Sequence, residues 1–239
     1  MGNMNAKQIL EEIEPLGSES YKKLLFKNYG VKEPCFGVKI GDLKKIQKRV
    51  KMDYQLALDL YETGNYDAMY LAGLIADDQQ MTKKDLQRWV KKAYAGALAG
   101  ATVAWVAAGS RHGRELALEW IDSANPQVAS AGWATLSSLV ALKDDGELDL
   151  DELKQLLRRV EKTIHKASDA VRYAMNTFVI SVGGYVKALT ELALETGERM
   201  GPVTAELGDS SCQVFSATDY IRKVQKRGGI GKKRKSVKC

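Results

Sequence analysis

Residues Ala93–Gly109, AYAGALAGATVAWVAAG, lie in the middle of the chain and are dominated by small side chains. Glycine inside a helix is less favourable than alanine by about 1 kcal/mol, so Gly96 and Gly100 weaken a helix unless the space they leave is used. Residues four apart lie on one helical face. Two interpretations are open: this face packs tightly against another helix, or it forms an open groove or pocket that admits a backbone, a base or a small ligand.

Helical periodicity continues on both sides of this stretch. Helix pairs such as Tyr54–Glu62 and Asp67–Ala76 are joined by short polar turns and recur about every 35–45 residues, a spacing typical of HEAT and armadillo repeats. The sequence therefore predicts an all-α protein, a right-handed-type α-solenoid of HEAT- or armadillo-like repeats, whose concave face binds an extended partner. We expect a single repeat domain over residues 1–227 and a basic tail over residues 228–239.

Charge indicates an anionic partner. The formal net charge is +6, and residues 222–239 contain nine Lys or Arg residues and no acidic residue. Such a segment is either a solvated end or a phosphate-binding one, and on a chain that otherwise resembles a nucleic-acid binder we favour phosphate contact.

Several classes of protein are excluded by the same sequence. No apolar run approaches the roughly 20 residues of a membrane span, and the polar, then amphipathic first residues do not resemble a signal peptide. Cys35, Cys212 and Cys239 are far apart and fit neither a disulfide framework nor a zinc site. We therefore expect a cytoplasmic protein with no metal and no cofactor.

His112 is the one histidine placed for chemistry, directly after the small-residue stretch. It could act as a general base at the mouth of a cleft, polarised by Glu115. The alternative is an exposed turn in which Ser110 is the N-cap of the next helix.

Five segments carry a family resemblance. The segments are Phe36–Ile46 (FGVKIGDLKKI), Asp67–Ala76, Asp122–Leu139, Ala170–Gly183 and the ending from Tyr220 to Arg234. Their order and spacing resemble the DNA alkylation repair family, the HEAT-like-repeat alkylpurine DNA glycosylases. The resemblance implies a curved helical array that holds duplex DNA through its phosphates.

The resemblance also implies where the reacting groups of the active members would lie. These members place an aromatic residue and an Asp on one central helix, an Arg on the next repeat and a third pocket aromatic further on. The matching positions here are near Gly96, Gly100, Ala131 and Thr177. Excision of a cationic base needs negative charge beside the developing sugar cation, and residues 93–109 contain no carboxylate. We therefore expect a DNA-binding member, and a monomer, that lacks base-excision chemistry.

These arguments define two sets of candidate residues. The candidate nucleic-acid ligands are Lys44, Lys45, Lys48, Arg111, Arg114, Arg172, Lys232, Lys233, Arg234 and Lys235. The candidate pocket residues are Gly96, Ala97, Gly100, Trp105, Ala131, Trp133, Tyr173 and Thr177. The alternative function is a scaffold, natural or engineered, whose opened concave pocket binds a small apolar ligand or carries engineered catalysis. Residual glycosylase activity is a third hypothesis.

Overall fold

All regular elements are helices in residues 4–206 and 214–238, the part of the chain that the computed structural model describes. Within it, the only β pairing is one isolated antiparallel bridge between Gly17 and Val38. The all-α prediction is therefore confirmed. The helices are α1 (Ala6–Ile13), α2 (Glu19–Tyr29), α3 (Ile40–Val50), α4 (Tyr54–Glu62), α5 (Tyr66–Ile75), α6 (Lys83–Lys92), α7 (Ala104–Gly109), α8 (Gly113–Trp120), α9 (Pro126–Leu142), α10 (Leu150–Thr163), α11 (Asp169–Tyr185), α12 (Thr190–Met200) and α13 (Ala217–Lys226).

Shorter elements lie between these helices. A π-helical segment, Leu98–Val103, leads directly into α7. Single turns of 3-10 helix are formed by Glu14–Leu16, Asp145–Glu147, Ile164–Lys166 and Lys187–Leu189.

The chain divides into two compact units, described separately below. Unit 1 contains residues 4–112 and Lys238, and unit 2 contains residues 113–206 and 214–237. The single repeat domain over residues 1–227 stays a prediction.

Unit 1 is built around α5, whose ten residues are all buried. A helix that is apolar on every side belongs in a core. It packs against α3, α4 and the π-helical segment. Gly73 permits the last of these contacts, because a Cβ atom there would lie 2.6 Å from Cγ2 of Thr102.

Unit 2 is built around α9 and α11, which are both 17 residues long and pack along each other. α8 covers α9, while α12 and α13 cover α11. Gly132 on α9 permits the close contact with α8, because a Cβ atom there would lie 2.7 Å from the backbone nitrogen of Ile121.

Local sequence signals account for several helix ends. The Ser18 hydroxyl accepts a hydrogen bond from the Tyr21 N–H at the start of α2, and Gly30 ends that helix in the left-handed conformation. Thr82 and Asp85 form the capping box of α6. Side chains that satisfy free backbone groups, and a glycine in the left-handed conformation, thus set these boundaries.

No single helix in the described ranges is long and apolar enough to cross a membrane. One pair, Asp169–Tyr185 with Lys187–Met200, would meet the same criteria together, although it is bent by 115°.

Candidate nucleic-acid interface

The small-residue stretch has two faces with different surroundings. Ala99, Ala104 and Ala107 are fully buried, so on their face small side chains serve close packing within unit 1. Gly96 and Gly100 are exposed, and a Cβ atom built on either would meet no atom of the described residues within 4 Å. The packing interpretation thus holds for the buried face, while the two glycines face open space.

A carboxylate does approach the small-residue stretch, but at its C-terminal end, far in sequence from Gly96 and Gly100. The side chain of Asp78 lies so close to Gly109 that a Cβ atom there would collide with it. Lys238 pairs with Asp78 at 2.7 Å and donates to the Ala76 carbonyl at 2.9 Å. Burial raises the pKa of the Asp78 carboxyl, and the Lys238 ammonium opposes that shift. This pair joins the end of the chain to unit 1.

The large candidate pocket aromatics are core side chains. Trp105 packs edge-on against Tyr70 in unit 1, with ring centroids 5.7 Å apart. Trp133 is fully buried in unit 2 and packs against Phe178 at 5.2 Å. Both tryptophans therefore contribute to packing within their own units.

The smaller candidate pocket residues differ in exposure. Ala131 is fully buried in unit 2, whereas Ala97 of unit 1 is half-buried. Tyr173 and Thr177 are half-buried on α11, where the Thr177 hydroxyl donates to the Tyr173 carbonyl at 2.9 Å. A shared pocket for these residues stays a prediction.

The candidate phosphate ligands on α3 differ in their local partners. Lys45 is exposed but pairs with Asp42 at 2.7 Å. Lys44 is half-exposed and Lys48 is exposed, and neither has an acidic partner among the described residues. No acidic side chain of the described residues therefore competes with an external anion for Lys44 or Lys48.

Two candidate arginines already have internal partners. Arg114 forms a two-pronged contact with Glu152, at 3.0 and 2.6 Å, and lies 3.6 Å from Asp149. Arg172 donates to the carbonyls of Ala167 and Thr204, both at 2.8 Å. These guanidinium groups hold unit 2 together, so they are less available to DNA than a free cation.

The basic ending docks on unit 2 through part of its length. Lys233 pairs with Asp145 at 2.8 Å and donates to the Val140 carbonyl at 3.0 Å, and the Arg234 N–H donates to the Ala141 carbonyl at 2.7 Å. A cation at a helix C-terminus is favourable, which explains why Lys233 lies at the end of α9. Lys232, Lys235 and the Arg234 side chain remain exposed.

His112 lies in a turn, because α8 begins only at Gly113. The Ser110 hydroxyl accepts from the His112 N–H at 3.1 Å and donates to the Ala107 carbonyl at 2.8 Å. Ser110 thus holds the turn before α8 and is not the immediate N-cap that the sequence predicted. Arg111 is exposed, and its Nε donates to Nε2 of His112 at 3.4 Å. A base role for His112 stays a prediction.

No metal-binding arrangement adds to this set. The described residues contain no group of three or more His, Cys, Asp or Glu side chains that could hold a metal ion.

One structural residue was missed by the sequence argument. The fully buried Asp67 carboxylate accepts the backbone N–H groups of Phe36, Gly37 and Val38 at 2.7, 3.1 and 2.9 Å. Burial and the nearby Asp67 carboxylate raise the pKa of the Cys35 thiol to about 12. The loop that precedes α3, at the start of the segment Phe36–Ile46, is thus held by an acidic residue of α5.

Comparison with known proteins agrees with this architecture. A model of the family described as DNA alkylation repair enzyme matches residues 9–206. An uncharacterised protein of Listeria innocua is 32% identical over 226 residues, covering 92% of this chain and 97% of the relative. An uncharacterised protein of Listeria monocytogenes is 31% identical with the same coverage.

A solved structure extends the likeness to the fold. It is described as a new family of proteins related to the HEAT-like repeat DNA glycosylases with affinity for branched DNA structures. It matches with a TM-score of 0.90 and 36% identity, over 99% of this chain and 100% of the other. The predicted HEAT-like repeat fold is thereby confirmed. The chain belongs to the DNA alkylation repair enzyme family.

Proposed function

We propose that this protein binds DNA through its phosphates, with a preference for branched over linear DNA, and does not excise bases. The observation that carries the proposal is the full-length, 36% identical likeness to a structure described by its affinity for branched DNA. Exposed cations without an acidic partner among the described residues, such as Lys48 and Lys235, support it, because neutralising phosphates releases counterions and drives association.

The surface at Gly96 and Gly100 supports the second half of the proposal. The family resemblance places the aromatic and the Asp of active members near these two positions, which here carry neither a ring nor a charge. No described atom lies within 4 Å of a Cβ atom at either glycine, so a DNA strand can approach the backbone there. Without a fixed negative charge, such a surface has no means of stabilising the cationic sugar formed during excision.

Binding is tested by fluorescence anisotropy with a labelled four-way junction and a linear duplex of the same sequence, at several salt concentrations. The expected result is tighter binding of the junction and a Kd for both that rises steeply with salt. Equal Kd values for the two DNAs, or Kd values that do not change with salt concentration, would contradict the proposal.

The α3 lysines offer a matched pair of variants. Lys48→Ala removes an exposed cation without an acidic partner, whereas Lys45→Ala removes a cation already paired with Asp42. The Lys48 variant should weaken binding of both DNAs and reduce the salt slope by about one. The Lys45 variant should have the smaller effect, and wild-type affinity in both variants would exclude α3 from the interface.

Excision is tested separately by release of methylated purines from alkylated duplex DNA. We expect no release above the uncatalysed rate, even with the protein in excess over the DNA. Release that disappears in His112→Ala would instead establish a different catalytic site.

The open space at Gly96 and Gly100 also favours a second candidate, the binding of a small apolar ligand. Such sites usually bury 70–90% or more of the ligand, whereas both glycines are exposed, so DNA contact is the better fit. A thermal-shift screen with aromatic compounds tests this candidate. A ligand-induced rise in Tm that is lost in Gly100→Leu would support it.

A further inference from the structure

The geometry points to an aromatic platform in unit 2, formed by Phe215 and Tyr220, on which unstacked bases at a DNA branch point lie. Phe215 is 55% exposed and Tyr220 is 40% exposed. Their ring centroids are 5.6 Å apart and the rings are inclined at 51°. Two large aromatic rings presented together to solvent are unusual on a protein surface and mark a contact site.

Hydrogen bonds to the backbone hold this aromatic platform in place. The side-chain amide of Asn176, which is 2% exposed on α11, donates to the Phe215 carbonyl at 2.9 Å. The next residue, Ser216, accepts the Asp219 N–H and so starts α13. The backbone from the Phe215 carbonyl into α13 is therefore held by hydrogen bonds.

α13 itself is pinned to its neighbours through glycines. Ile221 is fully buried and lies so close to Gly183 of α11 that a Cβ atom there would collide with it. Gly197 of α12 allows Thr218 to approach, since a Cβ atom there would lie 3.0 Å from Cγ2 of that residue. One face of α13 is thus committed to packing, which leaves Tyr220 on the free side.

The charges beside the platform favour nucleic acid as its occupant. Lys223 follows Tyr220 by three residues and so lies on its side of α13, and Arg227 follows directly after the helix ends at Lys226. Both are exposed, and neither has an acidic partner among the described residues. Aromatic rings bordered by free cations match a base face bordered by phosphates, as in proteins that bind single strands.

Branched DNA is the form that offers such a surface. A continuous duplex keeps its bases stacked inside, whereas bases at a branch point can unstack. This inference rests on the proposed function and gives a physical reason for the preference for branched DNA. Cations bind the phosphates of any DNA, whereas aromatic rings can stack only on bases whose faces are free.

The test compares the full-length wild-type protein with Phe215→Ala, Tyr220→Ala and the double variant. The probes are a four-way junction with 2-aminopurine at the branch point and a linear duplex of the same sequence. Each ring removed should weaken junction binding by at least about fivefold, with duplex binding unchanged, and should reduce the change in 2-aminopurine fluorescence. Tyr220→Phe should keep wild-type affinity, because the ring that stacks is retained.

Tyr29→Ala is the matched control, since Tyr29 is 39% exposed but lies in unit 1. It should leave the preference for the junction intact. Wild-type junction affinity in the double variant, or an equal loss for junction and duplex, would overturn the platform while leaving the proposed function in place. A wild-type protein that does not prefer the junction would overturn both.

A second copy of the chain is the other occupant that the test must separate. If the free wild-type protein sediments as a dimer and the double variant as a monomer, the aromatic pair is a self-association surface and the inference is wrong.

Discussion

The glycines of the central stretch permit a sharp test of the open surface. No atom of the described residues lies within 4 Å of a Cβ atom placed on Gly96 or Gly100, and neither glycine has a positive φ. Alanine at either site therefore causes no collision and restricts the unfolded chain. Gly100→Ala, inside the π-helical segment, should raise the free energy of unfolding by about 1 kcal/mol, the helix-propensity difference between the two residues. Gly96→Ala, at the start of the helical stretch, should raise it by less.

Two other helical glycines supply matched controls, in which the change to Ala should lower the free energy of unfolding. A Cβ atom on Gly73 would lie 2.6 Å from Cγ2 of Thr102, and one on Gly132 would lie 2.7 Å from the Ile121 backbone nitrogen. Overpacking of this kind costs about 1–3 kcal/mol. The four Gly→Ala variants thus make the same chemical change in opposite surroundings.

Calorimetric melting of the four variants measures how each Gly→Ala change shifts Tm. For a chain of this size, 1 kcal/mol shifts Tm by about 2–4 °C. Gly96→Ala and Gly100→Ala should melt above the wild type, and Gly73→Ala and Gly132→Ala below it. If the first two variants also melt lower, a neighbouring group occupies the space beside them, and the argument for an open surface collapses.

Three further predictions concern buried ionisable groups. With its pKa raised to about 12, Cys35 should resist iodoacetamide at pH 8 in the folded protein and react in urea; labelling without denaturant would contradict its burial. Desolvation raises the pKa of Asp85, but hydrogen bonds, one of them from Tyr54, outweigh it and the pKa is lowered. That stabilisation is present above the unfolded-state pKa and is lost as pH falls through the folded value. Tyr54→Phe should therefore lower unfolding stability by about 1 kcal/mol at pH 7 and by less in acid, measured with urea; a pH-independent loss would refute the link. Lys238→Met should lower Tm because it leaves the half-buried Asp78 carboxylate without its cation. Asp78→Asn in the same chain should restore part of the loss, and no recovery would exclude charge as the cause.

Much of the fold could be predicted because its signals are local. Helical periodicity needs only apolar residues at regular spacing, and caps such as Ser18 and Thr82 act on backbone groups within three residues. The predicted helix start was wrong at Ser110, because its hydroxyl accepts the His112 N–H in a turn and α8 begins only at Gly113.

Charge partners could not be predicted, because ion pairs join residues that are distant in sequence. Sequence alone gave Lys48, Arg114 and Lys233 the same expected role. In the structure, Arg114 is held by Glu152 and Lys233 by Asp145, while Lys48 has no acidic partner in the described ranges. A count of basic residues predicts an anionic partner, but only the folded chain shows which cations remain for it.

The sequence by itself determined that this is an all-helical chain with a run of small residues in its middle, since both follow from residue type and spacing. Tertiary structure decided what that run does: it packs Thr102 against Gly73 on one face and leaves Gly96 and Gly100 open on the other. The reason is that the sequence does not show whether the space left by a glycine is filled. A glycine can admit a neighbour or leave a space, and only the position of the neighbouring helix distinguishes the two.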